Sequence, residues 1–229
     1  MENPQIILML PVLLFSLSLH EFAHALAAKW AGDDTATRLG RLTLNPLAHI
    51  DPVGTVIVPL ICLAQAMTGG GRFFFGWAKP VPVNSNRFKK LIWAVYVSGA
   101  GPCANFSLVI LFTLILKLMY KTRFLLSGLV SSDAAEAVSM LFVQFIGLNV
   151  LLGLFNLIPI PPLDGSHIFF HFFVRPHKQD HAMFKLFKFL ERFGFLLLLF
   201  LLFAIPDEIN PFYLVYNRSI MLIFKFIFA

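Results

Sequence analysis

Six apolar stretches, at roughly residues 5–28, 53–67, 92–119, 137–158, 184–205 and 212–228, alternate with shorter polar segments along the chain. A helix needs about 20 apolar residues to cross the hydrocarbon core of a bilayer, because it rises only ~1.5 Å per residue. The first, third, fourth and fifth stretches are long enough. Stretch 53–67 is short and contains Pro59, and stretch 212–228 is short and carries Arg218 and Lys225, so each either spans or lies partly in the interface. The pattern predicts an all-α polytopic membrane protein with about five to six transmembrane or membrane-embedded helices. Residues 32–54 are more polar, and Thr37, Leu39, Arg41 and Thr43 alternate with Arg38, Gly40, Leu42 and Leu44 before a turn at Asn45-Pro46. That alternation predicts a small membrane-associated β region near residues 35–45, whose edge would offer backbone hydrogen bonds to an extended peptide. A plain surface loop fits the same pattern.

Composition sharpens the class. Of 229 residues, 58% are hydrophobic and 13% charged, and the mean hydropathy is +0.79. These values exclude an ordinary soluble domain. No polar stretch is long enough to fold separately, so residues 1–229 are expected to form a single membrane-embedded domain. The net charge of +6 is scattered through short loops, which is the habit of juxtamembrane segments and gives no reason to invoke nucleic acid. The expected surroundings are the lipid bilayer. Cys62 and Cys103 lack paired spacing and support neither a disulfide framework nor a thiolate metal site. The first apolar run has no basic residues before it and exceeds a signal-peptide core in length, so it reads as a retained first helix. The pattern leaves the oligomeric state open.

Chemistry enters with His20-Glu21-Phe22-Ala23-His24, inside that first run. Histidines four apart share a helix face and are able to converge on one metal ion, with the adjacent glutamate placed to take a proton from metal-bound water. Satisfied core residues are the alternative, although three ionisable groups in an apolar span are expensive and normally face a cavity. A second irregularity is Pro159-Ile160-Pro161-Pro162, which stops the fourth stretch and is followed by Leu163-Asp164-Gly165-Ser166. Irregular backbone at membrane depth is tolerated only when it is buried in protein or lines an aqueous cavity. Asp164 there reads as a third metal ligand, as a helix N-cap, or as both. Asn105 is an amide at membrane depth that needs a partner, expected on another helix, and the fourth stretch contains Asn149 and Asn156. Residues 69–90, rich in glycine and aromatics, read either as a membrane-dipping loop or as a gate over a buried site.

Taken together, these motifs resemble the site-2 proteases, a family of intramembrane zinc metallopeptidases. The resemblance rests on His20 to His24, on Asn156-Leu157-Ile158-Pro159-Ile160-Pro161-Pro162-Leu163-Asp164-Gly165, and on Gly101-Pro102-Cys103-Ala104-Asn105. The runs NPLAHIDPVG and GWAKPVPVN are similar to those of a compact prokaryotic branch lacking PDZ and CBS domains. The resemblance implies one zinc ion held by His20, His24 and Asp164, with Glu21 activating its water. It implies Asn156 as a group that positions substrate or stabilises the oxyanion. Asn105 matches a motif asparagine of less certain role, and His49, in NPLAHIDP, is placed near the site as a relay or hydrogen-bond partner. Implied partners are transmembrane protein or peptide substrates, and the implied location is the prokaryotic inner (cell) membrane in multi-pass form. The pairs His167/His171 and His177/His181 keep open a di-iron desaturase or hydroxylase, and the same cluster suits a non-enzymatic zinc-binding or transport protein.

Overall fold

The computed structural model describes residues 8–67, 74–126, 132–174, 182–206 and 208–229. Helix α1 (Met9–Ala31) ends where Gly32 takes φ 109° and caps the carbonyls of Ala28 and Lys29, a left-handed turn that suits glycine. A short α2 (Thr35–Arg38) follows. A π-helical turn over Pro52–Ile57 leads into α3 (Val58–Met67). The long α4 (Trp93–Leu126) and α5 (Ser132–Asn156) come next. After the proline break lie α6 (Asp164–Phe169), a π turn over Phe170–Val174, α7 (Ala182–Phe203) and α8 (Pro211–Phe228).

Among the described residues, three helices are long and apolar enough to cross a membrane: Met9–Ala31, Trp93–Thr122 within α4, and Ala134–Asn156 within α5. The protein is therefore a helical membrane protein. Its α4 shows why lipid rather than protein covers much of the surface: Ile110, Leu114 and Leu118 are each more than half exposed. The count of five to six embedded helices goes beyond these three.

The expected β region does not form, and no strand occurs among the described residues. Residues 35–38 are helical instead, with Arg38 N–H donating to Asp34 O and Leu39 N–H to Thr35 O. Local side chains decide the matter. Asp33 accepts from both the backbone N–H and the hydroxyl of Thr35, which starts the helical turn, and Gly40 at φ 67° reverses the chain. The Thr43 carbonyl then accepts from His49 Nε2 at 2.9 Å, so this carbonyl is engaged within its own turn.

Helix α1 packs against α4 and α5, and α4 in turn packs against α5, α6 and α8. Small residues bring the helices close: Ala27, Ala28 and Ala31 meet Val97 of α4. Between α4 and α5, a side chain at Gly153 would lie 2.8 Å from the Phe106 ring. The largest core joins Leu13 and Leu17 of α1 to Leu148, Leu152 and Phe155 of α5, with Phe75, Leu198 and Phe212 closing over them. The helix axes are thus fixed around the polar residues of α1.

Candidate metal centre

His20 and His24 lie on the buried face of α1, and Asp164 begins α6 just past the proline break. Three electron-rich atoms converge there. His20 Nε2 and His24 Nε2 each lie 3.2 Å from Asp164 Oδ2 and 3.0 Å from one another. Their surroundings set the tautomers. His24 Nδ1 is 2.7 Å from the Val97 carbonyl, which only accepts, so Nδ1 carries a proton and, in the neutral ring, Nε2 keeps a lone pair. His20 Nδ1 faces Asn105 Oδ1 at 2.6 Å and is placed in the same way.

Two lone pairs and a carboxylate oxygen at this spacing repel unless a proton or a metal cation lies among them. Asp164 Oδ2 is shielded from solvent and has no hydrogen-bond donor, a state that costs about 1–3 kcal/mol or more if nothing compensates it. The space beside the histidines is kept open from α4: a Cβ at Gly101 would fall 2.3 Å from His24 Nε2 and 2.5 Å from His20 Nε2. Two imidazoles and one carboxylate with room for a further ligand suit a zinc ion, so the residues fit the metal that the sequence implies.

Glu21 lies beside the cluster and lines the same cavity, of about 770 Å³, with one carboxylate oxygen accepting from Val81 N–H at 2.8 Å. That amide belongs to a segment without regular secondary structure, residues 74–84, which forms one wall through Phe75, Trp77 and Val83. Residues 69–73 of the expected loop lie outside the described residues. Asn156, at the end of α5, also lines the cavity, while its Nδ2 donates to Leu152 O at 3.0 Å.

Two other expected residues sit elsewhere. Asn105 is fully buried behind His20, bonded to it on one side and to Asn149 on the other, and does not face the cavity. His49 is buried and lines no part of the cavity; its ring holds the Thr43 carbonyl, and its own carbonyl accepts from Lys79 N–H at 2.9 Å. It ties the 43–49 turn to the cavity wall. His167 and His171 line the cavity but do not join the His20, His24 and Asp164 group. His177 and His181 lie outside the described residues. Sequence reasoning missed Val81, whose role is carried by its backbone, and Gly101 as the residue that makes room for a metal. The GPxxN run held the only signal for the latter.

The model of Peptidase family M50 matches residues 8–201 of the chain. "Putative zinc metalloprotease YwhC" of Bacillus subtilis (strain 168) is 41% identical over 157 residues, covering 68% of this chain and 64% of that protein. "Putative zinc metalloprotease Rip2" of Mycolicibacterium smegmatis is 36% identical over 157 residues, covering 66% of this chain and 52% of that protein. The matched region thus spans about half to two thirds of these relatives' own length. No solved structure matches the chain.

Proposed function

We propose, from the premise that this chain belongs to peptidase family M50, that it is an intramembrane zinc metalloprotease. Its substrates are membrane proteins, cut at peptide bonds in or near their transmembrane segments. The observation that carries this reading is the set of three lone-pair atoms within 3.2 Å of one another, with Glu21 lining the adjoining cavity. His20, His24 and Asp164 would hold one zinc ion. The chemistry that such an ion would supply there is Lewis acidity towards the scissile carbonyl and a water whose pKa is lowered towards about 7. Glu21, on the cavity wall, would take a proton from the attacking water and deliver it to the leaving amine. Asn156 Nδ2 carries a second hydrogen beside the one given to Leu152, and it serves the carbonyl oxygen as negative charge develops. The apolar walls, Phe155 and Leu198 among them, exclude bulk water.

The placement is the prokaryotic cell membrane, with residues 1–229 forming one multi-pass domain. Its embedded helices number five or six: α7 and α8 join α1, α4 and α5, and α3 is a short companion. Exposed apolar residues on α7 (Phe189, Leu196, Phe200) and α8 (Leu214, Met221, Leu222) support this, since such surfaces belong in lipid. The test is purified full-length protein in detergent with a helical transmembrane peptide as substrate. Glu21→Gln should keep its zinc and lose cleavage by about 10²–10⁴-fold. Changing His20, His24 or Asp164 to Ala should lose the metal as well. Cleavage by Glu21→Gln at the parent rate, or full zinc content after loss of both histidines, would sink the reading.

A further inference from the structure

The polar groups behind His20 form an ordered line. The Phe145 carbonyl on α5 lies 2.8 Å from Asn149 Nδ2, and a carbonyl only accepts. The Asn149 amide is therefore fixed with its nitrogen towards Phe145 and Ser16 Oγ (2.9 Å) and its oxygen towards α4. That oxygen accepts from Asn105 Nδ2 at 2.8 Å, which in turn fixes Asn105 with its oxygen towards α1. Asn105 Oδ1 then accepts from His20 Nδ1 at 2.6 Å. Each amide is oriented by the one before it. Ser16, Asn105 and Asn149 are all fully buried, so no solvent is present to substitute for a missing partner.

We propose that Asn149, acting through Asn105, fixes the tautomer of His20 and so keeps Nε2 free as a metal ligand. The inference rests on the reading of His20 as a ligand. Without the acceptor at position 149, the Asn105 amide has no reason to prefer either flip. When flipped, it presents N–H to His20 Nδ1, moves the imidazole proton to Nε2, and blocks the metal from that nitrogen. Asn149 and Asn105 are positioning residues in this account. The polarity of a backbone carbonyl on α5 is passed through two side chains to the metal-facing atom on α1. His24 needs no such line, because the Val97 carbonyl holds it directly.

The test uses the full chain in detergent, with histidine ¹⁵N spectra recorded before and after loading with zinc, and zinc affinity measured by chelator competition. Parent protein should show His20 protonated on Nδ1 in both states; an Nε2–H tautomer in the parent overturns the proposal with no variant needed. Asn149→Leu should give a mixed tautomer and a zinc affinity lower by about 10–100-fold. Adding Asn105→Asp to that variant supplies an acceptor that does not depend on position 149, and it should restore both the tautomer and most of the affinity. A purely structural role for Asn149 would lower affinity without moving the tautomer and would not be rescued from position 105; either result overturns the inference. His20→Ala separates the two readings. If it binds zinc as tightly as the parent, His20 is no ligand and the premise falls; if it loses zinc while Asn149→Leu does not, only the relay falls.

Discussion

At the scale of single residues, the centre depends as much on what is missing as on what is present. Gly101 offers no side chain towards the histidines, and a methyl group there would occupy the ground a metal needs, 2.3 Å from His24 Nε2. Gly101→Ala should lower zinc affinity at least about 100-fold, measured by chelator competition, because the α4 backbone cannot withdraw without giving up its packing on α1. Gly99→Ala is the matched control: a Cβ there meets nothing within 4 Å, so zinc affinity should be unchanged. Equal zinc binding by all three proteins would show that the metal does not sit between α1 and α4. The pairing of His20 with His24 was legible from the sequence, since a four-residue spacing places two imidazoles on one helix face. Val81, Gly101 and the ordering of Asn149 were not. The first acts through its amide, the second through its lack of side chain, and the third through a contact 44 residues away that only the packing of α4 on α5 creates.

Single elements are governed by their ends. The buried Asp33 carboxyl, just past α1, accepts from the Thr35 hydroxyl, from Thr35 N–H at 3.1 Å and from Asn84 N–H at 2.6 Å, clamping the end of α1 to the segment that leads into α4. Burial pushes this carboxyl up, but the hydrogen bonds from Thr35 and Asn84, helped by the charge of Arg87, outweigh it and hold it below the usual carboxylate range. A pKa lower in the folded than in the unfolded state gives stability that is complete above the unfolded value, near 3.9, and is lost as pH falls through the folded value. Asn replaces this carboxylate without its charge. Asp33→Asn should melt about 2–4 °C below the parent at pH 6 for each ~1 kcal/mol lost. The two melting curves should converge as the pH is lowered below about 3.9. A gap that stays constant across that range would show that the charge contributes nothing. The same contacts explain why the β region failed to appear: a period of two over eight residues is a weaker instruction than an Asp-Thr cap and a left-handed glycine, which act within three or four residues. The proline break after α5 was legible because three missing or restricted N–H positions in four residues admit no helix.

For the molecule as a whole, the cavity limits what is able to react. A helix with its side chains is about 10–12 Å across, so a volume of about 770 Å³ holds between one and two of its turns. On the proposed function, a transmembrane substrate would meet this cavity with only a turn or two of its span at a time. The amides of such a span are also closed within its helix ladder, so under the proposed function the bond to be cut would have to leave that ladder before it could reach Glu21 and the His20, His24 and Asp164 cluster. Residues 74–84 offer a wall of non-helical backbone against which an opened segment is able to lie. That role was first expected of residues 37–44, whose Thr43 carbonyl is already taken by His49. The rate should then follow the ease of local unwinding. Two substrate peptides of equal length and hydrophobicity, one with a continuous Leu/Ala span and one with a Gly-Asn or Gly-Pro pair near the cut, differ by about 1–3 kcal/mol in the helix they must break. That difference corresponds to about 5- to 150-fold in kcat/KM, with the broken helix cut faster. Equal rates would mean that unwinding precedes binding or that the substrate meets the centre outside the bilayer, and the cavity would then not be the step that selects substrates.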